Sequence, residues 1–119
     1  MKLLSARSGR VQLTMRSARC FGRVWVLITG GRAHFGAYSV SRGDAVHTRC
    51  RPGHRDDAVT AAISARLAAA GLPNLVAGGI HYDRITPNEI ETVLHLANAG
   101  ADAMIKEYKN GHSDGGEWI

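Results

Sequence analysis

Three short segments of this 119-residue chain place a histidine beside glycines or carboxylates: Gly30-Gly31-Arg32-Ala33-His34-Phe35-Gly36, Pro52-Gly53-His54-Arg55-Asp56-Asp57 and Gly79-Ile80-His81-Tyr82-Asp83. Imidazole changes charge near neutral pH, so a His/Asp pair can move protons. The same side chains can hold a divalent metal, and three histidines with Asp56, Asp57 or Asp83 would suffice for zinc or iron. Arginine forks such as Arg32 and Arg55 suit phosphate, and glycine pairs such as Gly30-Gly31 and Gly78-Gly79 let backbone approach a ligand closely.

Spacing separates these chemistries. No histidine pair has the i, i+4 spacing of a helical metalloprotease site, and any metal ligands would come singly from three loops, so the reading carries no metal. Neither a nucleophile elbow nor a Gly-x-x-x-x-Gly-Lys phosphate loop occurs. Binding fits the residue types better than catalysis: a flat polar heterocycle with a phosphate tail would use glycines, arginines and helix-start amides together. The plainer alternatives are that Gly-Gly makes a hairpin turn and that Asp56 and Asp57 cap a helix. His47, His95 and His112 are scattered and read as surface or packing residues.

Each histidine segment lies at the end of an element. Val11, Leu13 and Met15 alternate with polar residues in the period of a half-buried strand, and Val24 to Ile28 reads as a more deeply buried one. Phe21-Gly22 marks the turn between them. His34 to Val40 and Ala45 to Cys50 supply two further strands across the Ser41-Arg42-Gly43-Asp44 turn, and these short connections favour an antiparallel meander. From Asp56 the period changes, with Val59, Ile63, Leu67 and Ala70 at helical spacing until Gly71 and Pro73 end the helix. Leu75 to Gly79 forms a short strand. Thr86, Pro87 and Glu89 spell a capping box for a second helix, whose Ile90, Leu94, Ala97, Ala101, Met104 and Tyr108 share a face. The expectation is an α+β domain over residues 10–109, an antiparallel sheet of about five strands with two helices on one face. Residues 1–9 and 110–119 are expected to be flexible.

Charge is unevenly distributed behind the net +5: residues 1–55 hold eleven Lys/Arg against one acid, and residues 56–119 hold four against nine. The arginines stand singly along strands, and only seven residues are Phe, Trp or Tyr, which counts against a base-stacking nucleic-acid surface. A phosphate-bearing small ligand or an acidic protein partner accounts for them equally well. No window resembles a membrane span or secretory signal, so a cytoplasmic protein is expected. Cys20 and Cys50 have no metal-binding spacing and read as reduced structural thiols.

The three histidine segments also resemble a known family. Gly-Gly-x-x-His-Phe-Gly at 30–36, Pro-Gly-His-Arg-Asp-Asp at 52–57 and Gly-Ile-His-Tyr-Asp-x-Ile-Thr-Pro-x-Glu-Ile-Glu at 79–91 are similar to the small D-type subunit associated with gallate decarboxylase. That family is described as prenylated-flavin chaperones and is related in fold to proteasome-assembly chaperones. The resemblance implies a non-catalytic protein that binds prenylated FMN (or FMN) and assists delivery to, or maturation of, a UbiD-type decarboxylase, as a homodimer or small homo-oligomer. It implies ligand-facing roles for His34, His54, Arg55, Asp56, His81 and Asp83, to which phosphate chemistry adds Arg32. Two alternatives remain open: an accessory decarboxylase subunit or cofactor-assisted enzyme using a His/Asp pair, and a protein-assembly chaperone without flavin.

Overall fold

A computed structural model describes residues 1–110 and the backbone of 115–117. The elements run β1 (Lys2–Ser8), β2 (Val11–Cys20), β3 (Arg23–Gly31), β4 (Ala37–Arg42), β5 (Ala45–Cys50), α1 (Asp57–Ala69), β6 (Asn74–His81), α2 (Pro87–Asn110) and β7 (Gly115–Glu117). They form an α+β domain in which both helices pack against one mixed sheet of order β5-β4-β6-β3-β2-β1-β7. Six of these strands are substantial; β7 is a three-residue edge strand parallel to β1.

The sheet is mixed, not purely antiparallel as expected. β2 pairs with β3, and β4 with β5, as anticipated; β1, not expected as a strand, adds to β2, and the anticipated pairing of β3 with β4 does not form. Between them lies β6, parallel to β3 and antiparallel to β4. Helix α1 crosses back over the sheet, and the chain re-enters the slot that the connection after β3 left open. Two local features fit β6 to that slot. A Cβ on Gly78 would lie 1.8 Å from the Ile28 carbonyl oxygen, so β6 can approach β3 there only as glycine. At the other end, the buried Asn74 side chain accepts from Ser64 Oγ (2.7 Å) and donates to the Ser64 and Leu72 carbonyls (3.1 and 3.0 Å). Its amide donates to Ser41 Oγ (2.9 Å), so one residue ties α1, β4 and β6 together.

Residues 1–9, expected to be a flexible lead-in, instead contain β1. Leu4 and Ala6 are buried there, and the strand pairs along its whole length with β2. Of the C-terminal tail expected to be flexible, 111–114, 118 and 119 lie outside the described residues; so does His112.

Alternate residues of each strand point to the helices. Leu13, Met15, Val24, Val26, Ile28 and Val76 meet Ile63 and Leu67 of α1 and Leu96, Ala97 and Met104 of α2 in one core. Among the described residues no element covers the other sheet face, and Leu3, Trp25, Leu27 and Tyr38 are exposed on it. No described helix is long and apolar enough to cross a membrane.

Candidate functional site

The parallel pairing of β3 and β6 is what gathers the histidine segments. Gly31 at the end of β3 stands opposite His81 at the end of β6. The loop after β3 supplies His34, the connection from β5 to α1 supplies His54, Arg55 and Asp56, and the loop after β6 supplies Asp83. Backbone hydrogen bonds stitch these loops together: Arg32 N to His81 O (3.0 Å), Gly36 N to Gly78 O (2.9 Å) and Arg51 N to Gly36 O (2.8 Å).

Asp56 is the centre of the site. It occupies the N-cap position of α1, yet its carboxylate makes no capping hydrogen bond. Only 9% exposed, it turns inward instead. Oδ1 accepts the Ile80 N–H (3.0 Å), and Oδ2 lies 3.1 Å from His34 Nε2 and 3.6 Å from His54 Nδ1. The reading of Asp56 as an ordinary helix cap therefore fails at its side chain. The His34 ring stands 5.1 Å from His54 and 5.9 Å, edge-on, from His81, so the three histidines share one site. His81 Nε2 in turn lies 3.1 Å from Asp83 Oδ1.

Two glycines make room for this arrangement. A Cβ on Gly36 would sit 1.7 Å from Asp56 Oδ2, and one on Gly79 would sit 2.5 Å from the His34 carbonyl oxygen and 2.7 Å from its Nε2. The glycine pairs thus do more than turn the chain: Gly79 lies inside a strand and admits the histidine loop against it.

Beside the histidines a cleft of about 480 Å³ opens between the starts of the two helices. Its lining combines His34, His54, Arg55, Asp56 and His81 with the apolar Val59, Ile80, Ile85, Ile90, Val93 and Leu94. Arg32 and Asp83 do not line it. Both are largely exposed, their nearest charged atoms 3.9 Å apart, at the outer side of His81. Of the α2 face expected from helical spacing, Ala97, Ala101 and Met104 are buried and Leu94 and Tyr108 pack partly buried against the core, but Ile90 is 47% exposed and lines the cleft; Val93 and Leu96, outside that expected face, are buried as well.

The loop after β6 is clamped by residues with no motif to announce them. The expected capping box forms, with Glu89 N donating to Thr86 Oγ1 (3.1 Å) and Thr86 N to Glu89 Oε1 (3.0 Å). Arg10, from the β1–β2 turn, forks onto Glu89 (2.6 and 2.9 Å) and donates to the Asp83 carbonyl (2.8 Å). The Arg10 and Thr86 hydrogen bonds hold the Glu89 carboxyl at about 2, well below its ordinary range, and the Glu89 partnership raises Arg10. Tyr82 completes the clamp: its hydroxyl accepts from Gln12 N (2.8 Å) and donates to Gln12 O (2.9 Å). His47 and His95 are exposed and outside the site, as their scatter suggested.

The family model for the prenylated flavin chaperone LpdD-like domain matches residues 7–109 of the chain. No curated protein matches it.

Proposed function

The chain belongs to the prenylated flavin chaperone LpdD-like family, and from that premise we propose that it binds prenylated FMN in the cleft between the helix starts and hands it to a UbiD-type decarboxylase. The observation that carries this reading is the mixed lining of the cleft, in which histidines, an arginine and a carboxylate stand with apolar side chains. Its volume falls within the roughly 300–1,000 Å³ usual for cofactor sites. A prenylated flavin combines a flat polar ring edge, an added apolar portion and an anionic tail. The apolar side chains of Ile85, Ile90, Val93 and Leu94 fit the second, and the histidines fit the first. Arg55, exposed at the mouth beside the first turn of α1, supplies charge for the phosphate, with the helix amides adding to the attraction. When bound, the cofactor would supply the redox and addition chemistry of its ring; the chain's own residues bind, orient and shield it. Arg32 and Asp83 act in this reading from the rim, by holding the His81 loop.

The uncovered sheet face suits the transfer partner. Trp25 and Leu27 lie at its centre, while Arg7, Arg16 and Arg42 project on the same side by strand alternation. An apolar patch bordered by arginines matches a partner surface with acidic edges.

Titrating the protein with FMN and with anaerobically prepared prenylated FMN, followed by absorbance and gel filtration, tests the proposal. Stoichiometric retention of the prenylated form over FMN is expected, lost in Arg55→Ala and His81→Ala with the fold intact. Equal retention by parent and both variants would place the ligand elsewhere; no retention by the parent would remove the cofactor reading. Turnover by the purified protein without a decarboxylase would favour the enzymatic alternative.

A further inference from the structure

We propose that His34, His54 and Asp56 form a binding site for one divalent transition-metal ion, of the zinc, cobalt, manganese or iron(II) class, at the edge of the cleft. The residue types allow a metal, but their spacing spoke against one, because the ligands come singly from separate loops. The fold removes that objection. Among the described residues, these three bring one ligand atom each to within 4.8 Å of one another.

The geometry is close to what a metal requires. With metal–nitrogen and metal–oxygen bonds of about 2.0–2.2 Å, neighbouring ligand atoms of a tetrahedral site lie roughly 3.4 Å apart. The His34–Asp56 and His54–Asp56 separations, 3.1 and 3.6 Å, bracket that value. The remaining separation, between the two histidines, is within 4.8 Å and would have to shorten on coordination.

Hydrogen-bond accounting points the same way. His34 Nδ1 faces the Arg32 carbonyl oxygen at 3.3 Å while Nε2 faces the Asp56 carboxylate at 3.1 Å, an acceptor on each side. In its neutral form the imidazole donates from one nitrogen only, and with Nδ1–H on the carbonyl the Nε2 lone pair is then available to a cation. Asp56 Oδ2 is further approached by His54. A cation between Nε2, Nδ1 of His54 and Oδ2 satisfies all three at once. The supporting contacts are those that orient metal ligands elsewhere: a backbone carbonyl on the far nitrogen of His34, and a backbone N–H on the second oxygen of Asp56. Two histidines and one carboxylate leave coordination positions open, and all three residues line the cleft, so those positions face it. They take water or an anionic oxygen of whatever the cleft holds.

The inference is independent of the flavin reading, and its test uses metal alone. The full chain is stripped with chelator and titrated with Co²⁺ and Zn²⁺, following the visible cobalt spectrum and the heat of binding. One ion per chain is expected, with a cobalt spectrum of nitrogen–oxygen coordination. His54→Ala, whose ring is half exposed, should retain the fold by circular dichroism and weaken binding more than about 100-fold, beyond what loss of a supporting contact causes. Asp56→Asn preserves an acceptor for Ile80 and should do the same. His95→Ala, remote on α2, should bind as the parent does. Absence of stoichiometric binding by the parent would overturn the proposal, and so would binding that survives both His54→Ala and Asp56→Asn.

Discussion

Gly36→Ala is the sharpest test of how the site is held. The new Cβ would fall 1.7 Å from Asp56 Oδ2 and 2.6 Å from its Cγ, so one of the two residues must move. Gly36 cannot retreat, because its N–H is bound to Gly78 and its carbonyl to Arg51. Its φ lies outside the left-handed region, so alanine brings no backbone strain of its own. Asp56 must therefore swing away, abandoning the Ile80 N–H and both histidines. Losing a hydrogen bond to a charged acceptor and orphaning the amide costs about 2–4 kcal/mol. For a domain of this size that is a fall of about 8–16 °C in melting temperature. The assay is thermal and urea denaturation of Gly36→Ala, Asp56→Ala and the double variant, with ligand binding measured on each. Because the alanine clashes only with Asp56 among its nearest neighbours, its cost should drop below about 1 kcal/mol once that side chain is gone, a large departure from additivity. Gly43→Ala serves as the control: φ is +57° with nothing near the added carbon, so only the left-handed conformation is penalised, by about 1–2 kcal/mol. Wild-type stability and binding in Gly36→Ala, or additive costs in the double variant, would refute the account.

Three further outcomes follow from the same contacts. Glu89 is held at about 2 by Arg10 and Thr86, below its unfolded value, so its contribution to stability is present above about 4.5 and disappears as pH falls through about 2; Glu89→Gln should remove that part of the acid dependence in denaturation curves taken across this window. Asn74→Ala strips three buried hydrogen bonds and strands the Ser64 hydroxyl, and should cost about 3–5 kcal/mol in urea denaturation. Leu27→Glu, on the uncovered face, should leave cofactor retention unchanged and abolish co-elution with the decarboxylase, whereas loss of retention would show that the two surfaces are not separate.

Local rules carried much of the fold. The capping box formed bond for bond because both partners lie within four residues, and α1 buried Val59, Ile63 and Leu67 because a 3.6-residue period needs no knowledge of the partner surface. What periodicity cannot give is which strands become neighbours. Short connections argued for a meander, and they were right for β2–β3 and β4–β5 but not for β3–β4, which β6 separates; its placement depends on a helix crossing the sheet and on Gly78 and Asn74 fitting contacts far away in sequence. β1 escaped notice because its inward residues, Leu4 and Ala6, are too few to establish an alternation alone. Arg10 and Tyr82 had no local signature either, since each acts on a segment more than 65 residues away.

The histidine segments were visible as motifs, but their convergence was not, and its cause is the insertion of β6. Had β4 followed β3 directly in the sheet, the His34 loop would have been a hairpin tip, with His81 on another strand. With β6 between them, the loop after β3 must pass over the end of β6 to reach β4. It crosses at Gly79, which has no side chain to block it, and α1 then begins where β5 returns. The unexpected topology and the candidate site are thus one feature. A carboxylate at the helix start turns inward because the crossing loop presents a histidine to it and β6 presents a free amide. The cleft is lined by residues of α1, β6, α2 and the loops between elements, and backbone hydrogen bonds tie those loops together, so the proposed binding requires little ordering of the backbone.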